Sequence, residues 1–317
     1  MNLHLPSTSA PVALRITIVG FGEVGRAYAM ALLAQGLQPR LYHPAPRENA
    51  HKQAAELGLS LHSSASEAFT DCDLVLNVAP GTQALSVASA AAPHLKAKGA
   101  LFADLSSAAP ADLRAAARLF VGAGYVDVAI MGAMSIHGQR TPLLASGTFA
   151  PELASWLAPL GFVVDVLPDS QPGDATALKL VRSVLTKGMD GVIVECLLVA
   201  EALGLRQTLL ANIGDLDRST LSDLIAMFIR THAPHAQRRL HEMEAVENTL
   251  QNLGLKLIIT PAVRERYQRT VQLLGPNAQL PADATGEAMY GKVLPWMLRA
   301  ERAGGDTAPD QPPIDVP

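Results

Sequence analysis

The chain has 317 residues, more than one hydrophobic core usually organises, which predicts two domains. Its residues are 49% hydrophobic, 17% charged and only 4% aromatic, a globular composition in which Ala, Leu and Val do most of the packing. The formal net charge of −4 argues against nucleic acid as the main partner, because phosphate binding needs a concentrated basic surface.

Residues 1–13, rich in Ser, Pro and Ala, read as a flexible tail. They lack a basic segment followed by a sustained apolar one, so no signal peptide is expected. No run of about 18 apolar residues follows anywhere, so no membrane partner is expected either. A cytoplasmic protein is predicted. LRITIVG (14–20) is a short β-branched run of the kind that forms a buried parallel strand. RAYAMALLAQG reads as a helix closed by Gly36, and PRLYH (39–43) as a second strand. Together these make one βαβ unit. Further strands are predicted at 74–80, 100–107, 125–131, 141–147 and 162–167, with helices between several of them. That alternation predicts an α/β fold, a Rossmann domain over residues 14–172 with a mostly parallel sheet. From Asp174 to Leu205 the chain reads as one long helix, and strand signals then disappear. Helices at 235–254 and 260–274 follow, the second with Thr260 as cap and Pro261 as first residue. Residues 173–300 are therefore expected to be all-helical, and 301–317, rich in Pro, Gly and Asp, a disordered tail. The two cysteines, Cys72 and Cys196, exclude a disulfide scaffold. Cys196, within VIVECLLVA, reads as a buried, inert thiol.

The first strand ends in Gly20-Phe21-Gly22-Glu23-Val24-Gly25. This GxGxxG follows a strand and opens a helix inside a βαβ unit, the context in which it indicates a dinucleotide site. Gly20 permits the turn, Gly22 lets the backbone approach a pyrophosphate, and Gly25 allows close helix–strand packing. The phosphates would lie at a helix N-terminus, where free N–H groups favour anions. NAD enzymes usually end the second strand with a carboxylate that bonds the ribose. Here the segment is Tyr42-His43-Pro44-Ala45-Pro46-Arg47, with no carboxylate and a guanidinium in the loop. NADP is thus favoured over NAD, through His43 and Arg47; alternatively, Arg47 is a solvated loop residue.

In the long helix, Lys179, Arg182, Ser183, Thr186 and Asp190 recur at spacings of three and four on an otherwise apolar segment that should be largely buried. Burying such a stripe without partners is costly, so it faces a cleft, a ligand or a charge partner. A desolvated lysine there suits general acid–base chemistry. A structural ion pair is the alternative.

The order of motifs resembles the β-hydroxyacid dehydrogenases, the group containing 6-phosphogluconate and 3-hydroxyisobutyrate dehydrogenases. In that family the helix after the Rossmann domain starts with a glycine, has its catalytic lysine six residues on and an asparagine four after that. Here these positions hold Gly173, Lys179 and Ser183, while Arg182 stands where 6-phosphogluconate dehydrogenases have a histidine. ADLSSAAP (103–110) is similar to the family strand end that places Ser106 and Ser107 near nicotinamide and substrate. LNVAPG (76–81) corresponds to the loop beneath the cofactor, implicating Asn77, Val78 and Ala79. The family's Ser-Gly-Gly substrate loop reads Met131-Gly132-Ala133, without its serine hydroxyl. These departures resemble a divergent branch with a 6-phosphogluconate dehydrogenase-like C-terminal domain.

The resemblance implies an NAD(P)-dependent oxidoreductase acting on a small hydroxy or keto acid, with or without a following decarboxylation or rearrangement. Lys179 would be the general acid/base, Arg182 would bind a carboxylate or phosphate, and Ser106, Ser107, Gly132 and Ser183 would contact substrate. It also implies a homodimer formed through the helical domain. An imine reductase, whose members share this architecture but generally lack the lysine, is the competing enzyme; a non-catalytic NADP-binding sensor is the competitor of another class. His232, His235 and His241 read as solvated histidines rather than metal ligands, since Pro234 interrupts them and no HExxH follows. Arg238, Arg239, Glu242 and Glu244 form either an exposed helix face or a part that closes the active site.

Overall fold

A computed structural model describes residues 14–46, 48–95, 99–275 and 289–302. The expected tails at 1–13 and 303–317 lie outside the described residues, as does Arg47. The chain divides into two compact units, Met1–Val184 and Leu185–Pro317.

The first unit is built on an eight-stranded sheet. Its strands are β1 (Ile16–Val19), β2 (Arg40–Tyr42), β3 (Leu61–His62), β4 (Leu74–Asn77), β5 (Leu101–Asp104), β6 (Gly124–Ile130), β7 (Leu143–Ser146) and β8 (Val164–Val166). They lie in the order β3-β2-β1-β4-β5-β6-β7-β8. The first six are parallel, and β7 runs antiparallel to β6 with β8 parallel to β7. Strands β1, β4 and β5 are buried at every position, which is why they read as continuous apolar runs. Helices α1 (Glu23–Ala34), α2 (Glu48–Glu56), α3 (Ala65–Phe69), α4 (Ala84–Ala91), α5 (Pro110–Ala117), α6 (Met134–His137) and α7 (Ala150–Leu157) fill the connections. One core cluster gathers Ile16, Ile18, Leu32, Leu76, Val126 and Leu153. A second gathers Val19, Phe69, Val75, Phe102 and Tyr125, so apolar layers cover both faces of the sheet. Strand β3 was not predicted: at two residues it is too short to carry a period.

Helix α8 (Asp174–Ala202) begins in the first unit and ends in the second. The boundary between units thus falls twelve residues inside the expected helical domain, because the first turns of α8 are bonded to β6 and β7. The second unit continues with α9 (Arg206–Asn212), α10 (Gly214–Asp217), α11 (Leu221–His232), α12 (Ala236–Leu250), α13 (Ile259–Leu274) and α14 (Leu294–Arg302). It contains no strand among the described residues. Among the same residues, no helix is long and apolar enough to cross a membrane.

Two expectations for α8 fail. Rather than largely buried, it exposes Leu180, Val181, Val184, Ile193 and Leu198, with Val184 at 76%. Its faces find too little cover within the chain. Cys196 is accordingly exposed, and Cys72 is the buried thiol.

Candidate functional site

The strand order reverses between β1 and β4, so the connections leaving their C-terminal ends diverge and open a crevice. A cleft of about 770 Å³ occupies that place. Its wall takes Gly20, Phe21, Gly22 and Val24 from the turn after β1, and Tyr42, His43, Pro44 and Ala45 from the end of β2. Val78, Ala79, Pro80 and Gly81 follow β4, and Leu105, Ser107 and Ile130 complete the far end.

Two glycines of the turn are required sterically. Gly20 has φ +89°, and a Cβ on it would stand 2.9 Å from the Ala79 backbone nitrogen. A Cβ on Gly25 would stand 2.0 Å from the Gly20 carbonyl oxygen. Gly22 differs: a Cβ there meets no protein atom within 4 Å and would project into open space. Gly22 is also the N-cap of α1 and offers no side chain to the first turn, so those N–H groups stay available to an anion. Glu23 and Gly25 belong to this first turn but do not line the cleft.

Beneath the loop after β4, Asn77 is fully buried. Its amide donates to Asp104 (3.1 Å) and its carbonyl accepts the Ala79 N–H (3.2 Å). Asp104 also accepts from the Ser106 N–H (3.0 Å) and the Tyr125 hydroxyl (2.9 Å). Burial pushes the Asp104 carboxyl above its ordinary range, against the pull of those donors. Asn77 and Ser106 therefore lie behind the wall, where they fix the Val78–Ala79 and Leu105–Ser107 turns, and Val78, Ala79 and Ser107 reach the cleft.

At the end of β2, His43 Nδ1 accepts the Ala45 N–H at 3.1 Å, which leaves the neutral ring's proton on Nε2. No aspartate or glutamate lines the cleft among the described residues. Asn49 and Gln53, one turn apart on α2, do line it and were missed. The segment ENAHKQAAE has no apolar residue larger than alanine, so its helix went unread; the four-residue spacing of two amides just after β2 was the available signal.

The start of α8 is fixed by a buried carboxylate on β6. Asp127 accepts from Ser146 Oγ (2.9 Å), Gly173 N (2.9 Å), Thr176 N (3.1 Å) and Thr176 Oγ1 (2.7 Å). Gly173 has φ +98°, and a Cβ on it would stand 2.7 Å from the Pro110 carbonyl oxygen. Lys179 follows Thr176 by one turn and is half-buried, as is Ser183. Arg182 is exposed, and its Nη1 donates to the Met131 carbonyl at 3.1 Å. Gly132 is tight against Thr141, whose Cγ2 would lie 3.1 Å from a Cβ. The structure thus brings Arg182 to the Met131–Ala133 loop, whose neighbour Ile130 lines the cleft. Gly132, Lys179, Arg182 and Ser183 are not on the cleft wall.

In the second unit the expected cap of α13 is replaced. Thr260 lies inside the helix, and Glu195 on α8 accepts from Ile258 N, Ile259 N, Thr260 N and Thr260 Oγ1 at 2.6–2.8 Å. Desolvation opposes ionisation of Glu195, but these donors together outweigh it and draw the carboxyl down to about 2. His232 is half-buried rather than solvated: its Nε2 is 2.9 Å from Thr270 Oγ1 and its ring stacks on Tyr267 with centroids 5.1 Å apart. No cluster of three or more His, Cys, Asp or Glu suited to a metal occurs among the described residues.

Residues 15–151 match the NAD binding domain of 6-phosphogluconate dehydrogenase, and residues 200–270 match a domain of unknown function, DUF1932. An uncharacterised 28.5 kDa protein of Methanothermus fervidus is 24% identical over 255 residues, spanning 80% of this chain and 98% of that protein. A solved conserved protein of unknown function, described as structurally similar to 3-hydroxyacid dehydrogenases, is 26% identical with a TM-score of 0.58, covering 81% of this chain and 96% of its own. A reductive aminase from Aspergillus terreus shares the fold at 18% identity and a TM-score of 0.67, over 82% of this chain and 94% of that one. The chain thus carries an NAD-binding domain of the 6-phosphogluconate dehydrogenase type followed by DUF1932, in agreement with the expected resemblance to a divergent branch of the β-hydroxyacid dehydrogenases.

Proposed function

We propose that the protein is an oxidoreductase that moves a hydride between NADP, in preference to NAD, and a small hydroxy or keto acid. The observation that carries this reading is the linkage of Arg182, on the helix of Lys179, to the Met131 carbonyl, next to a residue of the nucleotide cleft.

The cleft suits a dinucleotide: glycines Gly20 and Gly25 that tolerate no Cβ, an uncapped helix start, and open space at Gly22. A bound nicotinamide nucleotide supplies or accepts the hydride. The Gly20–Gly25 turn and the α1 N-terminus would hold the pyrophosphate, and His43, at the end of β2, would serve the adenosine side. A wall without carboxylates among the described residues leaves a 2′-phosphate unopposed. During oxidation the Lys179 amine takes the substrate hydroxyl proton, and during reduction it returns that proton to the forming alkoxide. Arg182 has one nitrogen committed to Met131; its remaining N–H groups bind the substrate's carboxylate. Ser107 and Ser183 bond substrate hydroxyls. Exposure of the apolar faces of α8 supports a homodimer in which a second copy covers that helix.

The fold shared with a reductive aminase gives imine reduction as the second reading, in which Lys179 has no proton to exchange with a hydroxyl. A panel of hydroxy acids, sugar acids and cyclic imines, followed by NADPH and NADH absorbance, separates the two. Lys179→Met should lower turnover of the active hydroxy acid by about 10²–10⁴-fold with NADPH binding retained. A folded Lys179→Met enzyme with unchanged turnover defeats the acid/base role.

A further inference from the structure

A second polar cluster lies wholly within the Leu185–Pro317 unit and is used by nothing described so far. Helix α11 ends in Thr231 and His232, α12 contributes Arg239, α13 contributes Arg266, Arg269 and Thr270, and α14 contributes Glu301. Arg266 Nη2 and Arg269 Nε both donate to the Glu301 carboxylate at 3.0 Å, so two guanidinium groups share one negative charge. Arg239 is half-buried, and its Nη2 donates at 2.8 Å to Thr231 Oγ1, a neutral acceptor. Among the described residues Arg239 makes no ion pair. The contacts run on continuously: His232 Nε2 lies 2.9 Å from the fully buried Thr270 hydroxyl, which Arg266 Nη2 also approaches at 3.3 Å.

Two guanidinium groups therefore share one carboxylate, and a third, Arg239, has only a neutral acceptor. His232 adds no further charge, since burial and then the fields of Arg266 and Arg239 bring its ring down to about 4. Arg266 keeps 46% of its side chain exposed, so an anion can reach it, and half-buried Arg239 lacks the counter-charge that such an anion would supply. Guanidinium groups meet phosphate with paired, charge-assisted hydrogen bonds, and a phosphate monoester carries close to the two negative charges lacking here.

We propose that Arg239 and Arg266, beside His232, form an oxyanion site of the DUF1932 domain whose ligand is a small molecule bearing a phosphate group. All of its residues belong to the second unit, and its test does not depend on hydride transfer.

The test follows the His232 ring by NMR in the full-length protein, starting in phosphate-free buffer, with inorganic phosphate as the probe. Phosphate should raise the His232 titration midpoint toward the ordinary imidazole range in a saturable way, because a bound anion offsets the neighbouring cations. Acetate at matched ionic strength should leave it nearly unmoved. Arg239→Gln, and separately Arg266→Gln, should weaken phosphate binding by about tenfold or more. A midpoint indifferent to phosphate in the unaltered protein overturns the proposal. So does an equal response to acetate, which would be screening alone, or an undiminished response in a folded Arg239→Gln variant.

Discussion

Asp127 and Thr176, forty-nine residues apart, are joined twice: the buried carboxylate accepts both the Thr176 hydroxyl at 2.7 Å and its N–H at 3.1 Å. That pair ties the first turn of α8 to β6, an interior strand of the sheet, one turn ahead of Lys179. Asp127→Ala would strand Gly173 N, Thr176 N and two hydroxyls in a buried place, where each unsatisfied group costs about 1–3 kcal/mol. We expect a loss of roughly 3–5 kcal/mol in urea unfolding. Asp127→Asn, which keeps one acceptor oxygen, should lose clearly less. Equal stability of Asp127→Ala and the unaltered chain would mean that this carboxylate does not hold the helix.

The glycine turn allows folding and ligand binding to be separated. Gly25→Ala puts a methyl 2.0 Å from a backbone oxygen, so both thermal stability and NADPH binding should fall. Gly22→Ala meets no protein atom within 4 Å, so the ligand-free melting temperature should stay nearly unchanged. NADPH affinity, read by fluorescence, should nonetheless drop by about tenfold or more, since the methyl would stand where the proposed site takes the pyrophosphate. Undiminished affinity in Gly22→Ala would place the phosphates elsewhere.

The parallel strands and the glycine turn were legible because each rests on a local pattern: ITIV is buried at all four positions, and Gly20 needs its positive φ whatever the tertiary context. The cap of α13 was not, because Glu195 reaches Ile258 from sixty-three residues away and replaces Thr260, the local candidate. His232 misled for a related reason: its neighbours Pro234 and His235 are polar or exposed, while the groups that enclose it, Tyr267 and Thr270, come from α13. Cys196 read as buried because an apolar run implies cover, and periodicity does not say whether that cover comes from the same chain.

Two titrations should separate in acid unfolding. His232 is held near 4 in the folded state against an ordinary 6.5, so the unfolded chain binds the proton more readily. Its contribution is fully present above 6.5, falls as the pH drops through the interval to 4, and is then exhausted. Glu195 is held at about 2 against an ordinary 4.5, so its contribution is present above 4.5 and is lost as the pH falls toward 2. In phosphate-free buffer, His232→Asn should flatten the upper interval alone and Glu195→Gln the lower one alone. A Glu195→Gln change confined to the upper interval would contradict the helix-capping geometry.

Association should depend on the exposed faces of α8. Val181 and Val184 are 66% and 76% exposed within the chain, so a charge at either position costs the isolated chain little. Buried beneath a second copy, the same charge is strongly unfavourable without a partner. Val184→Glu should therefore convert a dimer into a monomer in sedimentation at micromolar concentration while circular dichroism keeps its helical signal. The monomer should also bind a hydrophobic dye that the dimer excludes, because the apolar residues on either side of position 184 become accessible. If the unaltered protein sediments as a monomer, or Val184→Glu leaves the dimer intact, α8 is not the surface through which two copies meet.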